Sequence, residues 1–251
     1  MQFWTSTHAK TVLPALALML AVALLLRLLL AGRDERVRIL PFQIVATLLG
    51  MLEIVKQIIS LSRGYDLWHL PLHLCSVITV LLPLMAFYRG RYKDGMRSVT
   101  VAFSAGLFAL MMIAPNSIYS ERAIKNFLGD FSDFHTTAFH LLAIFAFVLI
   151  VALDLHRPVL RRDCVVIVLA VLCYVAVAGT AANLLQVNFH NLYECLFQPV
   201  ERLRLHLGAT LGYARGQAVY VFLMAIANSV GILTSYTLYY LVSRLCKSAH
   251  K

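Results

Sequence analysis

Residues 12–31 read VLPALALMLAVALLLRLLLA, twenty positions broken by one charge, Arg27. About 20 apolar residues in helical form match the hydrocarbon core of a bilayer. In lipid, the backbone N–H and C=O groups have to be satisfied within the segment, so a run of this kind has the α-helix open to it and little else. Comparable runs recur at about 39–61, 71–88, 98–114, 134–153, 165–185 and 218–241. Seven such segments take up most of the 251 residues and leave short loops. The expected architecture is therefore all-α: one integral membrane domain over residues 1–251, a polytopic helix bundle of about seven spans. The composition, 61% hydrophobic and 14% charged, excludes a soluble globule, where about 25% of residues are charged, and intrinsic disorder. The 12–31 run is too long for a signal-peptide core and is followed by no clear small-x-small cleavage pattern.

The net charge of +10 invites a nucleic-acid reading, but the chain has no zinc-finger spacing, basic arm or aromatic-basic motif, and nucleic acid is not expected as a partner. In a membrane protein, Lys and Arg mark the cytoplasmic loops. Thirteen basic residues fall in the loops after the first, third, fifth and seventh spans, against seven on the other side. That asymmetry predicts an N-terminus outside and a C-terminus in the cytoplasm. Arg27 then sits near the cytoplasmic end of its helix, where it can snorkel. The five cysteines, at 75, 164, 173, 195 and 246, form no CxxC pair and no dense framework, so neither a disulfide scaffold nor a zinc ribbon is indicated. A pairing of Cys75 with Cys195 stays open.

Ionisable groups inside spans are costly and are functional candidates for that reason. The second span carries Glu53, Lys56 and Gln57, at i,i+3 and i,i+4 spacing and so on one face, which Gly50 and Ser60 extend. They form either an internal ion pair that positions helices or a contact for a polar substrate group. The third span opens Trp68-His69-Leu70-Pro71-Leu72-His73-Leu74-Cys75-Ser76. If that stretch is helical, Cys75 lies one turn inside its N-terminus, a place that favours a thiolate. His73 is two residues away and on another face, so a base for Cys75 has to come from a different helix. The fifth span offers His135 and His140, with Asp133 before them. His140 and Cys75 fall at similar depth, and a Cys–His pair is the minimal unit of thiol nucleophilic catalysis. Packing is the competing reading for the cysteine, and an interior hydrogen bond for each histidine. Asn183 closes the sixth span, Asn228 lies in the seventh, and the loop between them holds Asn188-Phe189-His190-Asn191. A loop of about 30 residues in so compact a chain is usually functional; it reads as a lid, a re-entrant segment or an interfacial helix. All these polar groups fall toward the outer half of the bundle, and the cytoplasmic half is expected to carry basic loops and little else.

The string Leu70-Pro71-Leu72-His73-Leu74-Cys75 after a span with Glu53 and Lys56, a histidine at 140 and Asn188-Phe189 after the sixth span together resemble the YwaF-type family of bacterial integral membrane proteins. That family is distantly similar to eukaryotic polytopic cysteine-dependent phospholipid acyltransferases. The chain has Asn188-Phe189-His190-Asn191 where the family has an Asn-Tyr-rich string. The resemblance implies a multi-pass protein of the bacterial cytoplasmic membrane and a lipid acyltransferase or hydrolase site with Cys75 as nucleophile and His140 as base. Glu53, Lys56, Gln57, His73, His135, Asn183 and Asn188 would contact a lipid-like substrate. Membrane lipids are the expected partners, and no cofactor or metal is expected. Two other classes remain: a ligand-binding or transport protein without turnover, and a zinc-dependent intramembrane hydrolase using His69 and His73 with His135, His140 or Asp133.

Overall fold

The computed structural model of the protein describes residues 4–118 and 120–248. Lys251 lies outside them, as do the side chains of Cys246 and Lys247. Every regular element among the described residues is helical. In chain order they are α1 (Ser6–Leu29), α2 (Glu35–Arg38), α3 (Leu40–Ser62), α4 (Ile78–Phe87), α5 (Lys93–Ile113), α6 (Glu121–Lys125), α7 (Phe131–Ala152), α8 (Leu160–Leu185), α9 (Gln198–Leu211) and α10 (Tyr213–Ser248). Six helices are long and apolar enough to cross a membrane: α1, α2 with α3 as Glu35–Ser62, α5, α7, α8 and Tyr213–Leu245 of α10.

The expected third span, 71–88, is helical only in its second half. Pro71 has no N–H and disfavours the helical region for the residue before it; Leu70 accordingly has φ −56° and ψ 137°. The chain makes a short 3₁₀ turn at Leu67–His69 and runs through turns to Ile78. Cys75 therefore stands three residues before α4 and not one turn inside a helix. The ten residues of α4 rise about 15 Å, half a bilayer.

Helix ends are closed by local chemistry. Thr5 and His8 form a capping box on α1, Asp130 accepts from Ser132 N (2.8 Å) and Asp133 N (3.4 Å) at α7, and Ser120 caps α6. At the other end of α7, Arg38 Nη1 donates to Leu153 O at 3.2 Å, a cation on orphan carbonyls. In the bundle, α5 packs on α4, α7, α8 and α10, and α3 on α4 and α7. Ser98, Thr100, Val101 and Ala102 of α5 are inaccessible. Helices in lipid approach closely where small residues allow it. A Cβ on Gly179 would stand 2.9 Å from Val221 Cγ1, and one on Gly216 only 2.5 Å from the backbone of Leu207 and Gly208, so α9 crosses directly over α10.

The long connection after α8 turns back into the bundle before α9 begins. Phe189 and Leu192 are fully buried, and 187–192 plugs the bundle. Its strained turn, with positive φ at His190 and Asn191, is held by side chains. Asn183 Nδ2 and Gln217 Nε2 both donate to Leu192 O at 3.2 Å, and Tyr220 donates to Asn191 O at 2.5 Å. Beyond it runs α9, a helix of 14 residues with none of them buried.

Candidate functional site

Glu53 is the hub of one end of the bundle. Its Oε1 takes Lys56 Nζ at 2.6 Å and Gln57 Nε2 at 2.7 Å, and its Oε2 takes His135 Nε2 at 3.2 Å. The shared face of Glu53, Lys56 and Gln57 thus forms as its spacing requires. His135 belongs to this cluster: it is buried and bonded to Glu53 across α3 and α7. Lys56 keeps one side toward the outside, with 16% of its side chain exposed.

The cluster fixes the irregular 64–77 segment. A second Gln57 N–H donates to His69 O at 2.8 Å, and Tyr65 donates to Gln57 Oε1 at 2.6 Å. Ser60 Oγ and His69 Nδ1 share a 2.7 Å hydrogen bond. From the far wall, Tyr174 of α8 donates to Leu72 O at 3.0 Å. Non-helical backbone at membrane depth survives only when protein satisfies it, and these side chains do that work. Tyr65 and Tyr174 were absent from the sequence-based site. The signal for Tyr174 was there, since a tyrosine hydroxyl inside an apolar span has to find a partner; which carbonyl it finds is not written in the span.

Cys75 lies on this tethered segment, partly buried, and Lys56 and Tyr174 both lie within electrostatic reach of its sulfur. Cys75 and Cys195 are separate free thiols. His73 packs at a tilt against Trp68, ring centroids 4.4 Å apart, meets Phe189 edge-on at 5.5 Å, and bonds Trp68 O at 3.2 Å. His190 donates to Asn228 Oδ1 at 2.8 Å. His140 is buried on α7, and its Nδ1 donates to Thr136 O at 2.7 Å. That bond fixes the tautomer and puts the ring's lone pair on Nε2. Asn183 and Asn188 are drawn into holding the loop: Asn183 bonds Gly179 O and Leu192 O, and Asn188 Oδ1 accepts from Glu194 N at 3.4 Å.

Asp133 accepts from Asn126 Nδ2 at 2.8 Å in the turn between α6 and α7, while His69 and His73 bind separate partners. Among the described residues no three His, Cys, Asp or Glu side chains are placed to hold a metal ion, so the zinc-hydrolase reading has no ligand set here.

The opposite end is also polar, contrary to the expectation of basic loops and little else. Asp163, fully buried, accepts from Tyr236 OH (2.5 Å), Val159 N (2.6 Å) and Arg162 Nε (3.0 Å). His156 Nε2 donates to Tyr236 OH at 2.8 Å. Beside it, Arg97 and Lys93 clamp Glu35 Oε1 at 2.5 and 2.8 Å. The sequence reading passed over these residues because Asp163 and His156 stand at and beyond span ends, where they look like loop.

Residues 3–236 match the family model described as the TMEM164 family. No curated protein and no solved structure matches the chain.

Proposed function

The chain belongs to the TMEM164 family, a family of membrane proteins, and from that premise we propose that its Cys75 end is a thiol-dependent site for transfer or hydrolysis of lipid acyl groups. The observation that carries this reading is the 64–77 segment: a cysteine held on non-helical backbone inside a helix bundle, tied from α3 and α8 and set beside a partly buried cation. A cysteine that serves packing alone needs no such tether. The resemblance to YwaF-type bacterial membrane proteins, and with it a bacterial cytoplasmic membrane, belongs to the same proposal.

In the proposed cycle His140 Nε2 takes the Cys75 thiol proton, and the sulfur attacks the ester carbonyl of a lipid. Lys56, within electrostatic reach of the sulfur, stabilises the oxyanion. The carbon–oxygen bond breaks, and the departing lysolipid oxygen takes the proton back from His140. An acceptor hydroxyl or water then attacks the thioester, gives its proton to His140 and releases the sulfur. Glu53 acts through others, by holding Lys56, Gln57 and His135 in place.

The test is acyl exchange on a phospholipid by purified protein in detergent, together with labelling by an electrophilic thiol probe located by peptide mass spectrometry. Cys75→Ala is expected to remove turnover and the Cys75 label while leaving the melting temperature nearly unchanged. Turnover that survives Cys75→Ala overturns the assignment. A ligand-induced melting shift with no turnover in either protein would place the site among binding or transport proteins.

A further inference from the structure

A second site lies on the other side of the bundle. α1 packs on α6 and α7, and α10 packs on α5, α8 and α9; between α1 and α10 runs a groove of about 670 Å³ floored by α5 and α7. That volume is within the roughly 300–1,000 Å³ of pockets that hold small apolar ligands. Its floor and walls include Ala23, Ala105, Ala109 and Ala152, with Phe108 among them. None of its lining residues belongs to the Cys75 end. The groove is long: its lining reaches Met112, whose carbonyl takes the Trp4 indole beside the start of α1, and also Arg27 in the last turn of α1.

Arg27 is the single charged residue in the lining. It is exposed and has no carboxylate within ion-pair distance among the described residues, unlike the deeply placed Arg97, which clamps Glu35. A guanidinium at the end of an apolar trough matches an amphiphile with an anionic head. Its planar fork suits a phosphate in two-point contact. We propose that this groove is a binding site for one glycerophospholipid of the leaflet on the Arg27 side, an acyl chain lying over the alanines and its phosphate on Arg27. The site is independent of the acyl-transfer reading, because it shares no residue with it and requires no turnover. Its occupant would remain bound through purification, where lipid in loose contact with the outer helix faces would exchange.

Native mass spectrometry of protein partially delipidated in detergent and titrated with dioleoylphosphatidylglycerol tests this. Wild type is expected to hold one phospholipid more tightly than the rest. Arg27→Gln, at a position with no ion pair to lose among the described residues, is expected to weaken that first binding event roughly tenfold. Ala109→Trp, which fills the trough, is expected to abolish it, and Val177→Trp on the exposed face of α8 is expected to leave it intact. If Ala109→Trp does not give a cooperative melt, Arg27→Gln decides alone. Unchanged first-site affinity in Arg27→Gln, equal loss in Val177→Trp, or a retained species that proves to be free fatty acid overturns the proposal.

Discussion

The two ends of the bundle both bury carboxylates against cations, and they use them differently. At one end Asp163 gathers Tyr236, Val159 N and Arg162, and Glu35 gathers Lys93 and Arg97; the effect is to staple α8 to α10 and α2 to α5. The N-cap nitrogen of Val159 and the carbonyls of Leu153 and His156 are held there as well, on the short α7–α8 connection. At the other end Glu53 has a comparable set of donors, yet its partner Gln57 reaches on to a backbone carbonyl of a non-helical segment, and that segment carries Cys75. A buried polar cluster by itself is thus poor evidence of function. The discriminating feature is whether the cluster supports irregular backbone with a reactive group on it.

The largest effect that would sharpen this contrast is expected from Asp163→Ala. It leaves Val159 N and the buried Tyr236 OH without an acceptor while Arg162 keeps Asp94, a loss of about 3–5 kcal/mol at about 1–3 for each unsatisfied group. Denaturant unfolding in detergent measures it. Thiol-probe labelling of Cys75 per folded molecule should stay at the wild-type level; a fall would mean that the two ends are coupled. Glu53→Gln comes next. It removes the charge opposite Lys56 but leaves an amide oxygen that still accepts there, so the loss is smaller, about 2–3 kcal/mol. Here labelling of Cys75 and any turnover should fall by at least tenfold in the surviving folded fraction. Equal behaviour of the two variants in the labelling assay would erase the distinction drawn above.

Much of the fold was legible because bilayer thickness and backbone satisfaction leave few choices: residues 12–31, 134–153 and 165–185 lie within α1, α7 and α8 almost to the residue. The failure at 71–77 has a local cause, Pro71, and a distant one. Hydrophobicity alone makes that stretch a span, and what keeps it open is Gln57 and Tyr174, more than a dozen and about a hundred positions away. Spacing along α3 revealed that Glu53, Lys56 and Gln57 share a face. It was silent on which histidine of α7 would meet them, because His135 and His140 differ by a rotation that only packing decides. The Asp163–Tyr236–His156 network joins three separate stretches of chain, and no pattern within any one of them announces it.

Gly216→Ala probes whether the cover over the Cys75 end matters. A methyl there meets the backbone of Leu207 and Gly208 at about 2.5 Å, so α9 has to shift, at an overpacking cost of about 1–2 kcal/mol. The shift passes along a polar chain: Arg204 bridges Glu201 and Gln217, and Gln217 holds Leu192 O and Tyr193 O above the Phe189 plug. Hydrogen exchange of 187–197 should rise, and that of 153–163 at the other end should not. Uniform loosening would show instead that the loop is an ordinary part of one cooperative core.

The smallest effect concerns His156, in the connection between α7 and α8. Burial pushes its pKa down to about 4, with Asp163 opposing. In the unfolded chain a histidine titrates near 6.5, so on acidification the unfolded state takes up the proton first. The contribution of His156 is therefore complete above about pH 7.5 and is lost progressively toward pH 4. Between pH 7 and pH 6 the loss is about 0.7 kcal/mol. His156→Gln keeps an N–H donor for Tyr236 OH without the titration, so its stability should fall less than that of wild type over this interval. The difference between the two slopes isolates one group at the stapled end. The same comparison with Cys75→Ala, at the end proposed to carry chemistry, should show no difference in slope, because a thiol with an ordinary value near 8.5 is protonated in both states throughout the interval. A slope in His156→Gln equal to that of wild type would mean that the stapled end admits the proton without unfolding, and would remove the rigidity on which the contrast between the two ends depends.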